Sequence, residues 1–262
     1  MRLVSFNLLH GRCLTDGVVN ADRVAAAVAD LGADVIGLQE VDRAQPRSNR
    51  LDLAAIAADA LGASDFRFEP ALVGTPGGHW RTAADGEHGP SGLPMYGVAL
   101  LSRLPVRSWH CLRLGRAPMR SPVLAPGTHR PVWVADEPRV GLAAVLQTPG
   151  GAMTVATTHL SFVPGWNVVQ LRQLVAFLRA LPAPRILIGD LNLPGKVPSA
   201  VSRWRSLARV PTYPRVQPRV QLDHALGDGG PPPVVAARAV PMPLSDHRAL
   251  VLDLADRQRA LR

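Results

Sequence analysis

Apolar and polar positions alternate along this chain in two rhythms, one of period two and one of helical period. Residues 3–8 read as a strand. Residues 21–31 place apolar side chains at helical spacing, with Asn20 set to accept a free N–H at the helix start and Gly32 to end it. Residues 34–38 form a short unbroken apolar run, the mark of a buried strand, and deliver Gln39-Glu40 at its end. Residues 51–61 make an alanine-rich helix closed by Gly62.

Strands follow at residues 66–73 and 97–102. Between them, 74–94 is rich in Gly and Pro, carries His79, Trp80 and His88, and is expected to be a long surface loop. Residues 106–114 and 139–147 read as strands on either side of a second irregular stretch, 115–138. Pro149-Gly150-Gly151 is a turn joining 139–147 to a strand at 153–158 as a hairpin. Residues 168–181 form an amphipathic helix and 185–188 a buried strand. After a connection rich in Pro and Arg come strands at 221–226, 234–239 and 248–254, and 256–262 make a polar tail. Roughly ten strands and four helices in mixed order, with hairpins and crossovers, predict an α+β fold of two packed sheets with helices outside. Residues 1–255 are expected to be one domain, and the order does not fit a doubly wound parallel sheet.

Composition narrows the class. At 262 residues and 47% hydrophobic the chain can bury a sizeable core, and the absence of any low-complexity block argues against disorder. No apolar run is long enough to span a bilayer, and the first residues lead into a strand without the apolar core of a signal peptide, so a cytoplasmic location and a monomer are expected. Cys13 and Cys111 are too few for a disulfide framework and read as free thiols. The formal charge is +9, and Lys196 is the only lysine. That arginine bias suits a GC-rich genome as well as any function. A positive field attracts polyanions such as nucleic acid or an anionic phospholipid surface, without establishing either.

Candidate chemistry sits at strand ends. The first strand ends on Asn7, and the strand at 34–38 leads into Glu40. The strand at 153–158 leads into Thr158-His159-Leu160, and that at 185–188 into Gly189-Asp190-Leu191-Asn192. Gln221-Leu222-Asp223-His224 and Ser245-Asp246-His247 each open a strand. Magnesium takes oxygen ligands, commonly one or two carboxylates with water and substrate phosphate oxygens. Glu40 and Asp246, with the amide oxygen of Asn7, can provide such a shell. His247 and Asp223 can form a carboxylate-oriented imidazole, and Asp190 and Asn192 can position a nucleophile.

The series, almost end to end and in this order, resembles the endonuclease/exonuclease/phosphatase superfamily, whose fold is that of deoxyribonuclease I. The resemblance implies a four-layer αββα sandwich and a Mg²⁺-dependent hydrolase of phosphate esters, with Mn²⁺ as a substitute. Carried over residue by residue, it implies metal ligation by Glu40, supported by Asn7 and Asp246. His247 paired with Asp223 would act on the attacking water or stabilise the transition state. Asp190 would orient or deprotonate the nucleophile, Asn192 would hold a phosphate oxygen, and His159 would donate to the phosphate or leaving group. Arg139 opens the strand that hairpins back toward His159 and is placed to contact phosphate. The abasic-site endonucleases of the superfamily carry Tyr where this chain has His159, and an acidic residue shortly after the first Asn, where this chain has Leu8-Leu9. An abasic-site repair role is therefore disfavoured.

The expected activity is that of a phosphodiesterase on nucleic acid or a phospholipid head group. A phosphomonoesterase on a small metabolite is the alternative, and a catalytically dead nucleic-acid-binding scaffold would lack a central group, yet all are present. His79, His88, His110 and His129 read as surface residues, and His224 should point away from Asp223. His10 lies close enough in sequence to Asn7 to approach the site, and Trp80 most simply packs its loop.

Overall fold

The two faces of each strand decide the layering. In the computed structural model, which describes residues 1–87, 92–124 and 131–255, the chain runs β1 (Arg2–Asn7), α1 (Ala21–Leu31), β2 (Val35–Arg43), α2 (Leu53–Leu61), β3 (Asp65–Gly74), β4 (Trp80–Thr82), β5 (Met95–Ser102), β6 (Val106–Leu114), β7 (Arg120–Leu124) and β8 (Pro131–Ala135). It continues with β9 (Arg139–Thr148), β10 (Gly151–His159), α3 (Trp166–Leu178), β11 (Arg185–Asp190), α4 (Val197–Ser202), β12 (Arg205–Ser206), β13 (Asp223–Asp228), β14 (Val234–Pro241) and β15 (Arg248–Leu254). The caps are those the sequence predicts: Asn20 accepts the Arg23 N–H, and α1 and α2 end on left-handed Gly32 and Gly62.

Seven strands form one sheet in the order β14-β15-β1-β2-β5-β3-β4, and six form another in the order β12-β13-β11-β10-β9-β6. Val4, Phe6, Ile36 and Leu38 on one face of β1 and β2 pack with Val24, Val28, Leu53 and Leu61 of α1 and α2. On the opposite face, Leu3, Val35, Leu250 and Leu252 meet Leu142, Val155, Ile186 and Ile188 of the second sheet. The outer face of that sheet, including Ala143, Ala156 and Leu187, is covered by Leu171, Leu174 and Leu178 of α3. Period two along the strands thus yields the four layers α, β, β, α, as expected.

Between the sheets, the side chains change character along the strands. On β1 the inward positions are Leu3, Ser5 and Asn7, and on β2 they are Val35, Gly37 and Gln39. On β10 they are Val155, Thr157 and His159, and on β11 Ile186, Ile188 and Asp190. The first rank is apolar and buried, the second is small or hydroxylic except for the apolar Ile188 of β11, and the third is polar. A hydrogen bond from Gln39 Nε2 to Thr157 Oγ1 (2.9 Å) joins the sheets at the transition. Gly37 permits that close approach, since a Cβ there would lie 2.6 Å from Thr157 Oγ1 and 2.8 Å from Thr157 Cβ.

Four features depart from the sequence reading. The described residues hold fifteen strands rather than about ten. The expected loop at 74–94 contains the three-residue strand β4, which pairs with β3. The stretch 115–138 contains a separate two-stranded ribbon, β7–β8, on which Met119, Val132, Trp133 and Val134 are exposed. Because both faces of β8 are exposed, it lacks the in–out alternation by which a strand is read. The short helix α4 lies in the connection rich in Pro and Arg. His88, His129 and the tail 256–262 lie outside the described residues. Cys13 and Cys111 are free, as expected. Among the described residues, no helix is long and apolar enough to cross a membrane.

The tight contact at Gly37 carries a prediction. Gly37→Ala should destabilise the fold by about 1–3 kcal/mol through overpacking between the sheets. Adding Thr157→Ala should recover part of the loss, as read from denaturant midpoints. Equal stability of Gly37→Ala and the parent would contradict the close approach.

Candidate active site

Register assembles the site. In the parallel β10–β11 ladder His159 is the partner of Asp190, and in the antiparallel β11–β13 ladder Asp190 is the partner of Asp223. Paired residues on neighbouring strands point to the same face, so His159, Asp190 and Asp223 stand in one row at the edge of the second sheet. The facing sheet supplies Asn7 from the end of β1 and Glu40 from β2. Regular alternation would turn Glu40 toward α1 and α2 along with Leu38. A bulge between Leu38 and Val41 in the β2–β5 ladder, with Glu40 at φ 52°, redirects it. That left-handed backbone costs a non-glycine residue roughly 1–2 kcal/mol. Asn192 (φ 49°) and Ser245 (φ 71°), next to Asp246, take the same conformation, so three unusual backbones flank one site.

The groups interlock. Asn7 Nδ2 donates to Glu40 Oε1 (3.0 Å) and to Asp190 Oδ2 (3.1 Å), while its Oδ1 accepts the Leu9 N–H (3.0 Å). The backbone donor fixes the amide so that its nitrogen, not its oxygen, faces the carboxylates. The Asn192 N–H donates to Asp190 Oδ1 (3.0 Å), and Asn192 Nδ2 donates to the Leu160 carbonyl (2.9 Å) while lying 3.2 Å from His159 Nε2. His247 Nδ1 is 2.8 Å from Asp223 Oδ2, and its Nε2 is 3.7 Å from Asp190 Oδ2. The Tyr213 ring packs on the His247 ring, centroids 4.9 Å apart.

The two imidazoles are driven to opposite charge states. Burial works against a charge on His247, but Asp223 and Asp190 outweigh it and push its pKa up to about 10. Burial, with Arg139 and His247 adding positive charge nearby, holds His159 well below its ordinary value. Arg139 Nη1 lies 3.3 Å from His159 Nδ1. Arg139 Nη1 and Asn192 Nδ2 are both donors facing the ring, so a neutral His159 accepts from only one of them. Accepting the obligate arginine donor at Nδ1 places the proton on Nε2, where the Asn192 amide contributes no hydrogen bond. Burial and the Asp223 charge raise Asp190 above the usual carboxylate range, against the lowering effect of His247. Burial raises Glu40 as well, with Asp246 adding to it and Asn7 and His247 opposing.

Glu40, Asp246, His247, His159, Asp190, Asn192 and Arg139 line one cleft of about 490 Å³, and Asn7 and Asp223 stand behind its wall. A separate cavity lined by Met1, Asp34, Leu104 and Met153 offers one carboxylate and no imidazole, which is too little for catalysis. Residues 4–247 match the Endonuclease/Exonuclease/phosphatase family. The chain belongs to that family. Its fold is similar to that of an endonuclease/exonuclease/phosphatase from Beutenbergia cavernae (22% identity, TM-score 0.68, covering 97% of this chain and 71% of that one). It is similar to the mannosyl-6-phosphatase Bt3783 of Bacteroides thetaiotaomicron (15%, 0.66, 98% and 100%) and to sphingomyelinase C of Streptomyces griseocarneus (17%, 0.62, 97% and 99%). No curated protein sequence matches the chain. The Endonuclease/Exonuclease/phosphatase family is one of phosphate-ester hydrolases that use divalent metals.

Two arrangements in this family member can hold a cation. Ligand atoms of Asp190, Asp223 and His247 all lie within 4.8 Å of one another, but Asp223 already engages His247 Nδ1, and a positively charged imidazole repels a metal. Glu40 and Asp246 offer hard oxygen donors, as Mg²⁺ prefers, and a cation would relieve the burial and like-charge repulsion at Glu40. Arg139 lies between Asp136 (3.4 Å) and His159, and its buried Nε has no hydrogen-bond partner among the described residues. Such a buried unpartnered donor is uncommon, and the guanidinium adds positive charge to the cleft wall.

Arg47, Tyr96, Glu137 and Tyr213 also line the cleft and were not singled out as site residues from the sequence. Arg47 forms a bidentate pair with Asp42 (2.8 Å each) and stacks over Tyr96. None ends a predicted strand in a recognisable motif, so period and motif gave no signal. His224 faces away with Nε2 2.8 Å from the Leu193 carbonyl oxygen, and His10 does not line the cleft. Trp80 packs under Arg116.

The His247–Asp223 pair has a linked pH dependence. Because the folded value of His247 is raised, its stabilising contribution is complete below the unfolded value of about 6.5 and is lost as pH rises toward about 10. Asp223→Asn should lower the His247 pKa in the metal-free protein, as followed by imidazole NMR. An unchanged titration would contradict the assignment.

Proposed function

We propose that this family member is a divalent-cation-dependent phosphodiesterase cleaving by in-line attack of water, with residues 1–255 acting as one domain. The observation that carries the reading is the meeting, in one cleft, of a carboxylate pair, a cationic imidazole, a neutral imidazole and an arginine. Glu40 and Asp246 would hold Mg²⁺ or Mn²⁺, with Asn7 bracing Glu40. The bound ion supplies charge neutralisation at the phosphate.

The chain's own groups divide the remaining work. Asp190 has its pKa raised toward neutrality, which suits a general base taking a proton from water. The positively charged His247 stabilises the negative charge that grows on the phosphate oxygens, and Asp223 holds it charged and oriented. Asn192 fixes Asp190 through its N–H and offers its amide to a phosphate oxygen. His159, protonated on Nε2, donates toward the phosphate or the leaving oxygen, and Arg139 orients that ring and adds positive charge at the cleft wall. Apolar groups from separate segments, Pro76, Val134, Phe162, Tyr213 and Leu222, flank the polar centre. They suit a phosphate carrying organic groups on both sides and so support a diester over a monoester.

The test compares bis-p-nitrophenyl phosphate with p-nitrophenyl phosphate in Mg²⁺, Mn²⁺ or EDTA. We expect Mg²⁺- or Mn²⁺-dependent activity with the diester preferred. Activity that survives EDTA, or a preference for the monoester, would contradict the proposal. Glu40→Ala and His247→Ala should each lower turnover by roughly 100-fold or more, the scale of lost proton-transfer and charge stabilisation, with circular dichroism unchanged. Near-parental rates would remove the residue from the mechanism.

A further inference from the structure

The connection from β11 to β13, residues 191–222, leaves the cleft at Asn192 and returns at Asp223. It carries Lys196, Arg203, Arg205, Arg209, Arg215 and Arg219 and no Asp or Glu, so it holds six of the chain's nine net positive charges. Arg215 serves the frame: its N–H donates to the Asp246 carbonyl (2.6 Å) and its Nη1 to the Met242 carbonyl (2.7 Å). Lys196, Arg209 and Arg219 are exposed and form no ion pair among the described residues, whereas nine arginines elsewhere pair with a carboxylate. These three surround a cavity of about 310 Å³ that Ser206 and Gln221 also line.

This cavity adjoins the catalytic cleft. Residues 211–222 form a shared wall: Tyr213 and Leu222 line the cleft, while Pro211, Arg219 and Gln221 line the cavity. The Arg219 N–H donates to the Tyr213 carbonyl at 2.8 Å, which ties the two sides together. Three like charges gathered without an acid repel one another, and an anion with several oxygens relieves that repulsion through arginine forks and an ammonium.

Resting on the phosphodiesterase reading, we infer that the cavity ringed by Lys196, Arg209 and Arg219 is a second phosphate subsite. It holds a phosphate next along a nucleic-acid strand from the one being cut. The wall keeps a phosphate in the cleft from reaching these cations, so the ligand must carry phosphates in series. The exposed apolar ribbon β7–β8, the part best suited to a lipid surface, meets the cleft through Val134, and among the described residues it contributes nothing to this cavity.

The test uses the full chain and the variant Lys196→Gln/Arg209→Gln/Arg219→Gln. Binding of a fluorescent single-stranded 12-nucleotide DNA is measured by anisotropy in EDTA over a salt series. At roughly 0.7 per phosphate contact on single strands, the variant's salt slope should be shallower by about 2, with at least about tenfold weaker binding near 0.1 M salt. Mg²⁺-dependent hydrolysis of bis-p-nitrophenyl phosphate, which has one phosphate, should be unchanged. An unaltered slope and affinity would overturn the subsite. So would loss of binding to phosphatidylglycerol vesicles alone, which would assign the cations to a lipid surface. If the parent fails to hydrolyse the small diester, the parent reading falls, while the binding arm still decides the subsite.

Discussion

Two β-sheets packed face to face admit little water, so any polar side chain between them must find a partner or stand at an opening. A buried donor or acceptor left unsatisfied costs about 1–3 kcal/mol, and a buried charge costs more. Here the inward ranks run from Leu3, Val35, Val155 and Ile186, through Ser5, Gly37 and Thr157, to Asn7, His159 and Asp190. The deep rank holds the sheets together, and Thr157 of the middle rank accepts a hydrogen bond from Gln39 across them. The last rank opens into a cleft where desolvation remains strong but a ligand can enter.

That partial desolvation gives the cleft its chemistry. Asp190 and Glu40 are raised by burial, and the two imidazoles are split by their neighbours, His247 by carboxylates and His159 by an arginine. Identical side chains are thereby driven to opposite charge states, His247 toward the cation and His159 toward the neutral ring. The hydrogen bonds of Asn7 to both Glu40 and Asp190 link the side of the cleft proposed to hold a cation to the side proposed to transfer protons. The arrangement is rigid because its members sit on strand ends rather than on long loops.

Much of this was legible in the sequence because strand period and strand termini leave a local trace. Asn7, Glu40, His159, Asp190, Asp223, Asp246 and His247 each stand where an apolar run stops or starts, and all come to one cleft or directly behind it. The bulge that turns Glu40 inward left no such trace, since its pairing partner lies on β5, far along the chain. Neither did Arg47, Tyr96 and Glu137, whose place depends on how separate loops fold over the cleft. The β7–β8 ribbon was hidden for a different reason: exposed Val132, Trp133 and Val134 obey no burial pattern.

The proposed mechanism requires the carboxylates of Glu40 and Asp246 to share one cation while His247 stays bound to Asp223. A crystal soaked in Mn²⁺ tests this directly through the anomalous difference map. One peak is expected at a ligand distance of roughly 2–2.3 Å from both Glu40 and Asp246, with the His247–Asp223 hydrogen bond intact. A peak seated among Asp190, Asp223 and His247 instead, or none near Glu40, would contradict it.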